Sequence, residues 1–206
     1  MKRKSYLIII IVCLIPFAFA HPAYHRVKHV IDGDTILLET GEQVRYLGID
    51  APEFGHDGEP NQFMAVEASH FNRAAVSKSP VRLEFDQERK DRHGRLLAYV
   101  FLEDGDMVNV LLVRKGFARV LVVKPNLKYF TLLLDAQRAA MRDRIGLWSK
   151  VTEATEPFYV GNQKSHRFHR PNCLFAKEIT PTNVVKFPDS TKAHSEGFSP
   201  CRRCKP

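Results

Sequence analysis

Residues 26 to 50 read Arg-Val-Lys-His-Val-Ile-Asp-Gly-Asp-Thr-Ile-Leu-Leu-Glu-Thr-Gly-Glu-Gln-Val-Arg-Tyr-Leu-Gly-Ile-Asp. Three runs rich in β-branched and aromatic residues stand out: His29 to Ile31, Thr35 to Leu38 and Val44 to Ile49. Asp32-Gly33 and Gly41 punctuate them, and short runs between such turn signals read as successive strands. Two more runs follow, Val81 to Phe85 and Leu96 to Leu102, the last closed by Asp104-Gly105. Helical spacing appears at three places. In 61–76, Met64, Ala68, Phe71 and Ala75 form a stripe, and Val108 to Lys115 is a short apolar segment ended by Gly116. In 127–145, Tyr129, Leu133, Ala136 and Ala140 share a face. Five short strands with few helices predict a mainly β, α+β architecture, a small closed barrel with helices packed on it.

The whole chain of 206 residues has ordinary apolar content, 44%, with 11 glycines and 12 prolines, which excludes a disordered or collagen-like polymer. It begins with Lys2, Arg3 and Lys4, then an uncharged run from Tyr6 to Ala20. A basic head, an apolar run too short to span a bilayer as a helix, and small residues at Ala18 and Ala20 predict an export signal cut after Ala20. Cys13 then leaves with the signal, and the mature chain goes to the periplasm or the medium without stable membrane insertion. The formal charge of +8 is unevenly spread. Residues 21–156 hold 19 bases and 20 acids, whereas residues 157–206 hold 9 bases and 3 acids, a net +6. A basic surface of that kind attracts polyanions.

Three short segments concentrate chemistry: Val30-Ile-Asp-Gly-Asp-Thr35, Arg45-Tyr-Leu-Gly-Ile-Asp-Ala-Pro-Glu53 and Asp91-Arg-His-Gly-Arg95. Each alone reads as an ordinary turn or solvated loop. Together they form a chemical set. Asp34 and Asp50 are hard oxygen donors suited to Ca²⁺ or Mg²⁺. Glu53 is a further carboxylate able to order or deprotonate a water. Arg45 and Arg95 are planar forks that match phosphate oxygens. On one extended strand the odd spacing of Arg45 and Asp50 puts them on opposite faces unless a bend intervenes.

These ordered motifs, with Asp-x-x-Gly-Arg-x-x-Ala-Tyr at 91–99 and Met-Val-Asn-x-x-Leu-Val-Arg-x-Gly at 107–116, resemble the staphylococcal (thermonuclease-like) nuclease family. The resemblance runs from about Tyr24 to Trp148. It implies a five-stranded OB-fold barrel and Ca²⁺-dependent hydrolysis of DNA or RNA to 3′-phosphate ends. By position it implies that Asp34, Asp50 and the Ala51 carbonyl bind the metal, with Asp32 supporting them. It also implies that Glu53 is the general base and that Arg45 and Arg95 hold the phosphate. Ala51 stands where the family often has threonine, and Leu121-Val122-Val123 lacks the tyrosines that line the nucleotide pocket of the best-known member.

The tail holds Cys173, Cys201 and Cys204, an odd count for an exported protein. One reading is a disulfide with a thiol left over. The other joins His169-x3-Cys173 to Cys201-x2-Cys204 around a structural Zn²⁺, which uses all four groups at ordinary spacing. The zinc reading is the better fit, since a short module has little core of its own. His166 is a rival ligand. The segment from Phe168 to Pro206, ending Gly-Phe-Ser-Pro-Cys-Arg-Arg-Cys-Lys-Pro, also resembles the zinc-binding domain of the Ada DNA-repair protein. His169 stands where that domain carries its methyl-accepting cysteine, so methyl-transfer repair is not expected. Arg167, Arg170, Arg202, Arg203 and Lys205 are candidates for a surface facing nucleic acid.

The chain is therefore expected to comprise a signal (1–20), a nuclease barrel (21–150), a linker (151–157) and a zinc module (158–206). The expected protein is a monomeric exported nuclease acting on DNA or RNA, with Ca²⁺ for catalysis and Zn²⁺ for the tail. The alternative is a barrel of this fold that binds nucleic acid or protein without cutting.

Overall fold

A computed structural model describes residues 23–150 and 156–206. The predicted export signal and residues 151–155 of the predicted linker lie outside the described residues. The five anticipated strands form: β2 (Val27–Val30), β3 (Thr35–Leu38), β4 (Gln43–Tyr46), β6 (Val81–Glu84) and β7 (Leu96–Phe101). They lie in one curled sheet, in which a short edge strand, β1 (Tyr24–His25), adds to β6, giving the order β1-β6-β7-β4-β3-β2. All neighbours are antiparallel except β4 and β7, which run parallel with Arg45 opposite Leu97. The predicted strand over 44–49 is broken. Leu47-Gly48 turns the chain, and β5 (Ile49–Asp50) leaves the sheet to pair with β8 (Arg119–Val120). Gly48 makes that turn at a φ of +76°, and a Cβ there would lie 2.5 Å from Leu133 Cδ1. No other residue adopts that conformation in that space without strain.

The three expected helices are α1 (Ala65–Val76), α2 (Val108–Arg114) and α3 (Phe130–Arg142). The buried face of α1 differs from the apolar stripe. It is Ala65, Ala68, Ser69, Asn72 and Val76, because Asn72 is drawn inward to accept a hydrogen bond from Tyr46 Oη (2.8 Å) and to donate one to the Asp32 carbonyl (3.1 Å). The side of α3 facing the barrel and tail likewise includes a polar residue, Gln137, with Leu133, Leu134 and Ala140. The barrel core runs from Val30 and Ile36 through Tyr46, Ile49 and Tyr99 to Leu112 and Leu133.

The tail folds as a second, smaller sheet of β9 (Tyr159–Asn162), β10 (Arg167–His169), β11 (Val184–Phe187) and β12 (Ser199–Pro200), in the order β11-β9-β10-β12. Two short helices, α4 (Leu174–Lys177) and α5 (Ser190–Ser195), pack beside it. Its core is five residues, Tyr159, Phe168, Phe187, Ala193 and Phe198. The tail lies against the barrel along α3 and β8. Gln137 Nε2 donates to the His194 carbonyl (2.6 Å), Arg138 Nε to the Ser195 carbonyl (2.8 Å), and Ser199 Oγ to the Val120 carbonyl (3.2 Å). Burial, and then Arg119, push the His194 imidazole down to about 3, so it sits neutral between Trp148 and Phe168.

Candidate active site and metal centre

The Asp32-Gly33-Asp34 turn is held tightly for a packing reason. A Cβ on Gly33 would meet Ala51 Cβ at 2.6 Å and Ala68 Cβ at 2.8 Å, so the glycine lets the turn seat itself against α1 and the chain after β5. Asp32 Oδ1 accepts the Asp34 N–H (2.9 Å). Asp34 is thereby fixed inside, 3% exposed. Its Oδ2 accepts the Ala51 N–H at 2.6 Å, and its Oδ1 accepts from Thr35 Oγ1 at 3.1 Å. Burial raises the Asp34 carboxyl to about 7, against the pull of Arg45.

The turn at Leu47-Gly48 puts a bend between them, and Arg45 and Asp50 meet. Arg45 NH2 stands 3.0 Å from Asp34 Oδ2 and 3.4 Å from Asp50 Oδ1, while its NH1 donates to the Tyr46 carbonyl (2.9 Å). A single guanidinium nitrogen thus lies between two carboxylates drawn from different turns. Glu53 is held at the rim by Gln62, whose backbone N–H donates to the Glu53 carbonyl (3.1 Å) and whose Oε1 accepts the Glu53 N–H (3.3 Å). Partial desolvation, then the charges of Asp32 and Asp50, raise the Glu53 carboxyl above its ordinary range. Such a shift favours a group that must take up a proton near neutral pH.

Arg95 lies just before β7, and its Nε donates to Asp91 Oδ2 at 2.7 Å. Among the described residues no hydrogen bond or ion pair joins Arg95 to Asp34, Asp50 or Glu53. Four of the five barrel groups singled out in the sequence therefore come together, and the fifth is tied to its own loop.

A cavity of about 450 Å³ opens over this cluster. Asp50, Ala51, Glu53, Gln62 and Arg119 line it from the barrel, and Pro200, Cys201, Arg202, Lys205 and Pro206 line it from the tail. Arg202 NH2 reaches Asp50 Oδ1 at 2.9 Å. Of the other basic tail candidates, Arg167 NH1 donates to the Pro200 carbonyl (3.1 Å). Arg170 donates to the carbonyls of Cys204 and Lys205 and pairs with Glu156, so it braces the C-terminal end of the tail. Arg203 and Lys205 are exposed. Arg119 went unremarked in the sequence. Its one signal there is a charge inside the apolar run 117–123, and only the β5–β8 pairing sets it opposite Asp50.

The second cluster is His169, Cys173, Cys201 and Cys204, whose ligand atoms all lie within 4.8 Å of one another. β10 delivers His169, the start of α4 delivers Cys173, and the turn after β12 delivers the other two. Burial, then Arg167, lower the His169 pKa, which keeps the imidazole neutral as a metal ligand must be. Three sulfurs and one imidazole nitrogen at this separation suit a four-coordinate zinc. The three cysteines form no disulfide. His166, the rival ligand, stacks instead on Phe198 with ring centroids 4.9 Å apart.

Comparison with known proteins places the chain. Residues 43–150 match the family described as staphylococcal nuclease homologue, and residues 147–206 match the metal binding domain of Ada. The chain is similar to a Thermonuclease of Staphylococcus intermedius, 42% identical over 129 residues, covering 61% of this chain and 76% of that protein. It is 39% identical over 133 residues to a Thermonuclease of Staphylococcus hyicus, covering 63% of this chain and 78% of that protein. It is 40% identical over 125 residues to Endonuclease YncB of Bacillus subtilis, covering 58% of this chain and 59% of that protein.

Proposed function

Because the chain belongs to the staphylococcal nuclease homologue family, we propose that it is an exported, Ca²⁺-dependent nuclease. It hydrolyses phosphodiester bonds of DNA or RNA to leave 3′-phosphate ends, and a zinc-bound tail helps hold the strand. The observation that carries this reading is the pair Asp34 and Asp50, two carboxylates sharing one cationic nitrogen of Arg45 at 3.0 and 3.4 Å. Carboxylates so arranged attract a positive charge, and their hard oxygens, with the nearby Ala51 carbonyl, suit Ca²⁺. When bound, the ion supplies charge neutralisation at the phosphoryl oxygens and orients the attacking water.

The chain's own residues do the rest. Glu53, held at the rim by Gln62 and raised in proton affinity, accepts a proton from the attacking water. The water oxygen bonds to phosphorus while the bond to the 5′ oxygen breaks. The phosphate stays on the 3′ oxygen of one product, and the other leaves as a 5′ hydroxyl with a proton from solvent. Arg45 and Arg95 offer forked donors to the oxygens that gain charge. Arg95 must then swing away from Asp91, or bring that loop with it, when substrate enters. In the tail, His169, Cys173, Cys201 and Cys204 would hold Zn²⁺ as a structural staple. Among the described residues no helix is long and apolar enough to cross a membrane, which is compatible with export.

Nicking of supercoiled plasmid tests the reading. Ca²⁺ should support cutting and a chelator should abolish it. Glu53→Ala and Arg95→Ala should each lower the rate by roughly a hundredfold or more, the range for a lost general base or charge-stabilising donor. Plasmid cut equally fast by both variants would reject this assignment of the catalytic residues, and wild type that does not cut with Ca²⁺ would leave the non-catalytic binding reading.

A further inference from the structure

The tail reaches the cleft, and its basic groups there outnumber what Asp50 can neutralise. Arg202 is contributed by the Cys201-x2-Cys204 knuckle, so the zinc ligands fix where it stands. It pairs with Asp50 at 2.9 Å, although its side chain remains 70% exposed. Arg119 faces the same carboxylate from β8, and its Nε is buried with no hydrogen-bond partner among the described residues. Arg119 lines the cleft and also a second cavity of about 570 Å³ behind it, at the seam with Arg142, Arg144 and Lys150. A buried unpaired guanidinium edge is costly to leave unfilled. Two forked donors that share one carboxylate, set in a cleft, form the chemistry that takes a phosphate.

We infer that Arg202 and Arg119 form a subsite for a phosphate that neighbours the scissile one, so that the zinc knuckle is a wall of the catalytic cleft rather than a remote tether. This inference rests on the nuclease reading. Asp50 is common to both, and a divalent ion taken up by Asp50 would compete with Arg202 for its carboxylate. The freed guanidinium then faces the incoming strand at the same rim, while Arg119 lines the cleft from the barrel side.

The experiment uses the full zinc-loaded chain as wild type, Arg202→Gln and Arg202→Lys, with zinc content measured for each. The probe is a fluorescent single-stranded DNA tetranucleotide, compared with the same oligonucleotide carrying one uncharged methylphosphonate next to the scissile linkage, on either side in turn. Anisotropy with and without Ca²⁺ reads binding, steady-state kinetics reads KM and kcat, and calorimetry reads Ca²⁺ affinity. Expected for Arg202→Gln is a roughly tenfold rise in KM with a far smaller change in kcat, and a salt slope of binding shallower by about 0.7, the value for one phosphate contact on a single strand. The methylphosphonate on one side should weaken wild type similarly and add nothing in Arg202→Gln, and Arg202→Lys should recover part of the loss. If Arg202→Gln tightens Ca²⁺ but leaves oligonucleotide binding untouched, the arginine is only a plug on Asp50 and the subsite is refuted. If variant and methylphosphonate weaken binding additively, the two do not meet and the subsite is likewise refuted. Failure of the nuclease reading is distinguishable: wild type would not cut, while the anisotropy would still report the phosphate contact.

Discussion

Single residues show how polar groups hold this molecule together. Asn72 and Gln137 are each inside, each serving two partners that would otherwise be buried unpaired. Gln137 gives the clearer test. Its Oε1 accepts the Val120 N–H at 2.7 Å and its Nε2 donates to the His194 carbonyl at 2.6 Å, so one amide joins β8, α3 and the tail. Gln137→Leu keeps the volume and strands both backbone groups. It should cost about 1–3 kcal/mol per group left unsatisfied, seen as a lower denaturation midpoint with unchanged far-ultraviolet circular dichroism. A midpoint equal to wild type would show that water serves both groups instead. Asp34, Asp50, Glu53 and Arg45 could be picked out in the sequence because their chemistry is explicit in the residue type. Asn72, Gln137 and Arg119 could not, since an amide or a guanidinium does not announce its partners, and those partners lie 17 to 69 positions away.

At the scale of elements, the joining of β6 to the start of α3 depends on one carboxylate. Glu84 accepts hydrogen bonds from Lys128 Nζ (2.6 Å), Tyr129 Oη (2.7 Å) and Arg82 NH1 (3.1 Å). Burial alone would raise its pKa, but these three donors overcome that and hold it down to about 2. The folded value lies below the unfolded one of 4.5. The stabilisation is therefore complete above about pH 4.5 and drains away as pH falls toward 2. Glu84→Gln should be less stable than wild type at pH 7 by about 1.5–3 kcal/mol, the range for hydrogen bonds to a charged group. By pH 3 the gap between the two should have narrowed, as thermal melts at the two pH values would show. A gap that stays constant or widens would mean that the carboxylate charge is not what holds α3 to β6. The strands and helices themselves were legible from residue patterns and turn signals. The break of the predicted 44–49 strand was not, because Gly48 sits in a run whose neighbours all favour extended structure. What turns the chain there is the space left by Leu133 on a helix far along the sequence.

The whole molecule is a barrel and a basic tail sharing one seam. Phe130 lies so near Gly197 that a Cβ there would come within 2.8 Å of its ring. Removing residues 157–206 would therefore strip a packed face from α3 as well as take away charge. Stripping zinc with a chelator is the gentler test of what the tail contributes. Loss of the ion should release the Cys201–Cys204 knuckle and with it Arg202. Oligonucleotide binding should then weaken and flatten in its dependence on salt, because fewer counterions are released per strand bound, while the barrel's circular dichroism persists. Anisotropy titrations at several salt concentrations check this, and zinc-stripped protein that binds with undiminished salt slope would disprove it.

The sequence by itself determined the class of fold, the three acidic and basic motifs, and the set of His169, Cys173, Cys201 and Cys204 that meets in the tail. Each of these is written in local pattern: turn residues between apolar runs, carboxylates and arginines at fixed intervals, thiols at zinc spacing. Only the tertiary structure decided that Arg45 comes between Asp34 and Asp50, that Arg119 lies opposite Asp50, and that the Cys201–Cys204 knuckle leans over the cleft to place Arg202 on the same carboxylate. Those meetings follow from packing between segments up to 152 positions apart. They are fixed by the Gly33 and Gly48 turns, the β5–β8 pairing and the contacts of α3 with the tail, none of which a local pattern encodes.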